Sequence, residues 1–429
     1  MSSAPNQSAT ALALTLALVA SGGCRGSAST PPASGGGGAT SPDAPGGVGD
    51  DSGAAAGPSD LGGVGASSGD LATPLPAREL VYVGGYAGAI TVLALDPATG
   101  ALSPVAVTHV SMGTPTAGPS FLCVDRAQQH LYAADESRGR VLGYAIDGAT
   151  GKLTFVGDAA SAAPGPTHLS LDASERWLLV ANYGGGVAVH PVLPGGGVGA
   201  AVATDQPGAN PHAFVGDPSG KFAYAAIAGA DAIAEYQLDA KSGALLRLGT
   251  LALQRVDGKT LNGEQVGPRH FAFAADGKQV YLAAQADGSF RTLGFAIDTG
   301  ALTSRAVLQP PLPAGSSSAS AAEVALHPSG KHLYGSYYQN VNGADDLIYH
   351  FAIAADGSLG QAQAVPSGGA VPRHLSVDPS GRYLLVANMN SNRVGVFRIE
   401  SDGRPTDLGQ RVTVDQPAFV RAYAFAAAR

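Results

Sequence analysis

VPRHLSVDPSGRYLLVANMN, residues 371–390, contains the repeating unit of this chain. His374, Ser376 and Asp378 alternate with Leu375 and Val377, the period of two that a strand with two unlike faces requires. A Pro-Ser-Gly turn at 379–381 breaks the run, and a second apolar run, YLLVA, follows at 383–387. The stretch reads as a hairpin, and it has relatives. PSFL at 119–122 leads to HLYAA, PTHLSL at 166–171 to WLLVAN, and PHAF at 211–214 to FAY. PRHFAF at 268–273 leads to VYLA, and AEVAL at 322–326 to LY. The units start near 120, 166, 211, 268, 321 and 372, a spacing of 45 to 57 residues.

Each unit continues into a third run, such as VLGYAI at 141–146 or VGVFRI at 394–399. A glycine-bearing turn at 147–151, 239–243 or 298–300 then leads to a fourth short run. Four strands joined by tight turns, repeated about every 50 residues without helical periodicity, predict a β-propeller. Residues 80–108 supply three further strands and lack the first of a unit, while AFVRAYAF at 418–425 is a single strand without companions. Joining the two chain ends makes a seventh blade and removes the open sheet edges. The expected fold is therefore all-β, a seven-bladed propeller of four-stranded antiparallel blades closed by N- and C-terminal strands.

The propeller is expected to occupy residues 78–429. Residues 11–20, ALALTLALVA, are too short to span a bilayer and read as the apolar core of a signal peptide over residues 1–24. The run ends at Ser-Gly-Gly-Cys, so Cys24 is the expected lipidation site of an exported lipoprotein, with a plain signal peptide as the alternative. Residues 25–77 are almost entirely Gly, Ser, Ala, Pro, Thr and Asp and read as a disordered tether.

Charged residues make up 14% of the chain and the net charge is −8 without any basic cluster, which argues against a nucleic-acid surface. Two cysteines are too few for a disulfide framework, and no metal-ligand spacing is present. No metal or organic cofactor is expected. Contact with a membrane is expected only through the lipid anchor, and the propeller itself is expected to be a monomer.

In antiparallel blades, the start of the first strand and the end of the second share one face. His168, His212, Arg269 with His270, Glu323, and Arg373 with His374 should therefore gather at one mouth of the channel, with Asn182, Gln285 and Asn388. Two guanidiniums aimed at one pocket repel each other unless an anion sits between them. The histidines have a second reading, as pins that hydrogen-bond between blades, and Glu323 has one as an ion-pair partner of the arginines.

The strings PSFLCVD, GPTHLSLDASERWLLVANYGGGVAVHPV, GPRHFAFAADGKQVYLA, AAEVALHPSGKHLYGS and the 371–390 stretch resemble the seven-bladed lactonase family, over roughly residues 79–425. That family includes propeller-type 6-phosphogluconolactonases and fungal carboxymuconate cycloisomerases. The resemblance implies hydrolysis of a small anionic sugar lactone, with catalytic residues at His212, Arg269, Gln285 and Arg373. His168, His270, Glu323 and His374 are the expected substrate-binding set. Two positions depart from the family pattern: Phe214 stands where a second histidine is usual, and Gln285 where an acid is usual. Glutamine takes up no proton, so an exported, non-catalytic propeller that binds an anionic ligand or a protein partner is the alternative.

Overall fold

In the computed structural model, which describes residues 78–110, 116–255, 266–311, 320–338 and 345–425, the paired runs are strands. They build seven antiparallel sheets of four strands each. The second blade, from the channel outward, is Pro119–Val124, His130–Asp135, Arg140–Ile146 and Leu153–Ala160. The first blade takes its innermost strand from the far end of the chain: Pro417–Phe425 pairs with Arg78–Gly85, followed by Ala89–Leu95 and Leu102–His109. The expected closure by both chain ends is the one observed. The apolar run at 11–20, Cys24 and the 25–77 segment lie outside the described residues. No helix of the described residues is long and apolar enough to cross a membrane.

Burial follows position in the blade. Second strands such as Trp177–Asn182, Phe222–Ile227 and Tyr383–Asn388 are buried along their whole length, because sheets on both sides cover them. That environment selects near-continuous apolar runs in place of strict alternation. Outermost strands such as Leu102–His109 and Leu245–Ala252 are largely exposed.

Aromatic residues on second strands staple five blades to the blades that follow them. The hydroxyls of Tyr82, Tyr224, Tyr281 and Tyr334 donate to the carbonyls of Gly151, Gly300, Gly357 and Gly403, and Trp177 Nε1 donates to Ala240 O. Each acceptor lies in the turn between the third and fourth strands of the following blade. Gly300 shows why that turn carries glycine: its φ is +73°, and a Cβ there would lie 2.5 Å from the Phe222 ring.

Candidate active site at the bulged mouth of the channel

Every innermost strand opens with the same irregularity. The pairing register skips one residue just after the leading proline: Ala418, Ser120, Thr167, His212, Arg269 and Arg373 are the extra residues in their blades. In the sixth blade the skip covers Ala322 and Glu323. A bulge re-aims a side chain that regular pleating would send elsewhere. His212, Arg269 and Arg373 are each the second residue of their strand.

A second ring is set by a repeated backbone bond. In six blades the residue just past the second strand donates its N–H to the carbonyl just before the bulge proline of the same blade. Tyr86, Glu136, Tyr183, Ala228, Gln285 and Met389 donate to Gln416, Gly118, Gly165, Asn210, Gly267 and Val371 at 2.7–3.2 Å. Gln285 is thus the counterpart, three blades on, of Glu136. Among the described residues no side-chain hydrogen bond joins Gln285 to the arginines. Asn182 and Asn388, which end second strands, hold loops instead: their amides donate to Ser161 O and Ser367 O at 3.1 and 3.0 Å.

The two arginines reach this mouth from different blades, each with its own partners. Arg269 is 1% exposed; its Nε donates to His212 Nε2 at 3.2 Å and its Nη1 to Tyr338 Oη at 3.1 Å. Arg373 donates from Nη2 to Tyr86 Oη at 3.0 Å, and its guanidinium lies over the Tyr86 ring. Tyr86 in turn donates to Glu136 Oε2 at 2.8 Å, which also accepts the Ser120 hydroxyl at 2.7 Å. Burial works against the Arg373 charge, but Tyr86, Tyr338 and Glu136 more than offset it and raise its pKa. Burial also pushes the Tyr86 phenol up to about 12, so it stays a donor at neutral pH.

One layer deeper stand Phe419, Phe121, His168, Ala213, His270 and His374, each third in its strand, and Glu323, fourth in Ser320–Leu326. They fill the channel axis. Phe121 packs 4.3 Å from the His168 ring and 5.5 Å from His270, and Phe419 packs 4.3 Å from His374. His168 Nδ1 accepts the Phe214 N–H and His374 Nδ1 the Val420 N–H, both at 3.4 Å. Those two histidines are the inter-blade pins of the second sequence reading. Glu323 is 7% exposed, its Oε2 2.6 Å from His270 Nδ1 and 3.4 Å from His374 Nε2. His270 Nε2 is 3.2 Å from His212 Nδ1. Burial first, then the nearby cations, holds the His212 pKa well below the imidazole range, and burial does the same for His168 and His270.

The sequence-derived residues therefore fall into two layers. His212, Arg269 and Arg373 line the mouth, while His168, His270, Glu323 and His374 form a partition beneath it. Tyr86, Glu136 and Tyr338 escaped the sequence reading. Glu136 carried a usable signal, since it follows its second strand as Gln285 does. Tyr86 and Tyr338 looked like packing tyrosines and carried none. Among the described residues no cluster of three or more His, Cys, Asp or Glu side chains is arranged to hold a metal ion.

A family model described as "Lactonase, 7-bladed beta-propeller" matches residues 80–422. A 6-phosphogluconolactonase of Pectobacterium carotovorum subsp. carotovorum is 30% identical over 278 residues, covering 64% of this chain and 79% of that one. Its namesake in Bacillus subtilis is 25% identical over 331 residues, covering 74% and 90%. The solved structure of a periplasmic gluconolactonase from Pseudomonas aeruginosa superposes with a TM-score of 0.70 at 27% identity, covering 81% of this chain and 99% of that chain. With the family model spanning all seven blades, the chain belongs to the lactonase family of seven-bladed β-propellers.

Proposed function

We propose that the protein hydrolyses a sugar lactone at the bulged mouth. The observation that carries this reading is the contact between Arg269 Nε and His212 Nε2, which sets a cation and a neutral imidazole side by side at the mouth. A lactone carbonyl drawn to the Arg269 guanidinium displaces this contact and leaves His212 Nε2 free to take a proton from water. Such a base contributes roughly 10²–10⁴-fold. Arg269 then stabilises the oxyanion of the tetrahedral intermediate. Arg373, set by Tyr86 and Glu136, holds an anionic substituent or the carboxylate of the ring-opened product. Thr167 Oγ1, at the same bulge position two blades before Arg269, is buried without a hydrogen-bond partner and suits a sugar hydroxyl.

The Pseudomonas relative is named as periplasmic, and the apolar run at 11–20 supports export of this chain as well. Lipidation of Cys24 and a free tether over residues 25–77 complete the proposal. Cys24→Ser should then move the protein from membranes to the soluble fraction. The reaction itself is tested by assaying the purified protein on glucono-lactones, phosphorylated and not. Ring opening above the spontaneous rate, lost in His212→Ala, is the expected result. Gln285 in the family's acidic position favours a second reading, a propeller that only binds an anion, and an inert protein that binds gluconate would establish it.

A further inference from the structure

The mouth poses a chemical difficulty. If His212 takes a proton from water, it becomes an imidazolium in direct contact with Arg269 and near Arg373. Two cations in contact within a buried site repel strongly, and a base that must end up charged there is a poor one.

The hydrogen-bond chain beneath the mouth removes the difficulty. Arginine only donates, so His212 Nε2 is an acceptor and its proton sits on Nδ1. That proton faces His270 Nε2 at 3.2 Å, so the His270 proton sits on Nδ1 and faces Glu323 Oε2 at 2.6 Å. One fixed donor thus sets the tautomer of both rings and points both protons at a buried carboxylate. We infer that His270 and Glu323 are positioning residues of a two-imidazole proton relay, which carries the proton taken by His212 away from the arginines and stores it on Glu323.

The steps balance without another reactant. Water loses a proton to His212 Nε2 as its oxygen bonds to the lactone carbonyl carbon. The Nδ1 proton of His212 passes to His270 Nε2, and the Nδ1 proton of His270 passes to Glu323 Oε2. Both rings end neutral in the other tautomer, and Glu323 is a neutral acid. When the ring C–O bond breaks, the same path runs backward and delivers the proton to the leaving ring oxygen. Glu323 suits the storage role because burial raises its pKa, while His374, the Val324 N–H, Arg269 and Arg421 pull it down. The inference rests on the proposed lactone hydrolysis.

The test is steady-state kinetics of the full chain on whichever glucono-lactone it opens, from pH 5 to 8. Glu323→Gln should lower kcat about 10²-fold with KM within about threefold, and should remove the acid-side fall of the parent's kcat. Glu323→Asp should recover part of that loss. His270→Gln keeps the contact between Glu323 and His374 but breaks the path, so it should lower kcat similarly. It stands in if Glu323→Gln does not fold. A parent that hydrolyses lactones and needs His212, but keeps its kcat and pH profile in both variants, overturns the relay and leaves the proposed function standing. A kcat loss that merely tracks the folded fraction on melting also overturns it. An inert parent overturns the proposed function, and the relay with it.

Discussion

The two ends of the channel are built by the same seven strands, yet they present different side chains. The far end encloses a space of about 620 Å³. Below the partition its walls include Cys123, Ser170, Val215, Ala272, Ala325 and Ser376, with Arg421 as the one cation of that ring. Neither His212, Arg269 nor Arg373 lines it. The near end holds a histidine and two arginines at its bulged positions. The difference lies in the backbone. Beyond the third residue each strand is regular, and alternation brings a small side chain to the axis, where seven strands crowd. At the bulge the register slips, and the released residues include His212, Arg269 and Arg373, long or polar side chains that find partners on neighbouring blades.

Removing the closing strand would abolish both ends at once and is the largest expected effect. Pro417–Phe425 contributes Ala418 to the bulge ring, Phe419 to the partition and Arg421 to the far chamber. Phe419, Val420 and Phe425 are almost fully buried. At about 1.5–3 kcal/mol per buried side chain, their loss rivals the whole folding free energy of about 5–15 kcal/mol. A chain ending at Gln416 should show no cooperative melting transition; a soluble, cooperatively folding product would break the account of closure.

Arg269→Ala sharpens the comparison at the near end. It should reduce kcat by about 10²–10³-fold, the usual loss for one oxyanion donor, while melting near the parent temperature. Arg373→Ala should instead act mainly through KM, because Arg373 is proposed to hold a part of the substrate that does not react.

The partition between the ends should reveal itself in the pH dependence of stability. Burial holds His374 down at about 4, against an ordinary 6.5. A depressed imidazole pKa means the folded state takes the proton less readily than the unfolded chain. The stabilisation is therefore complete above pH 6.5 and is lost as pH falls toward 4, a loss of about 3 kcal/mol. His168, His212 and His270 shift in the same direction. Glu323, raised by burial, has the opposite sign and returns some stability as it protonates. Melting temperature should fall from pH 7 to pH 4.5, and less steeply in His374→Gln.

The smallest effect belongs to the far chamber. Ala272→Ser adds a hydroxyl to that wall and should leave kcat/KM within about twofold. A tenfold loss would show that the far end takes part in the reaction after all.

The architecture was open to reading because it repeats. Strand alternation, turn glycines and the unmatched strand at 418–425 are local patterns, and seven weak copies of one pattern reinforce each other. That His212, Arg269 and Arg373 share one end of the channel was legible for the same reason, by their place after a repeated proline. Glu136 was missed although it obeys the same positional rule, since a lone Glu at a turn looks like solvated surface. Tyr86 and Tyr338 were missed because a tyrosine at the end of an apolar run resembles the blade-stapling tyrosines.

What the sequence by itself determined is the order of strands, the closure of the ring and the blade that supplies each side chain. Those follow from periodicity and turn chemistry, which act over a few residues. Which histidine pins a backbone and which one faces an arginine was decided only by the tertiary structure. His168 and His270 occupy equivalent positions in their strands, yet one accepts Phe214 N–H and the other bridges His212 to Glu323. The distinction comes from the neighbouring blades: His212 on one side and Glu323 on the other supply the partners of His270. Side chains 53 and 58 residues apart set the role of His270, and no local pattern encodes a contact that only closure of the ring creates.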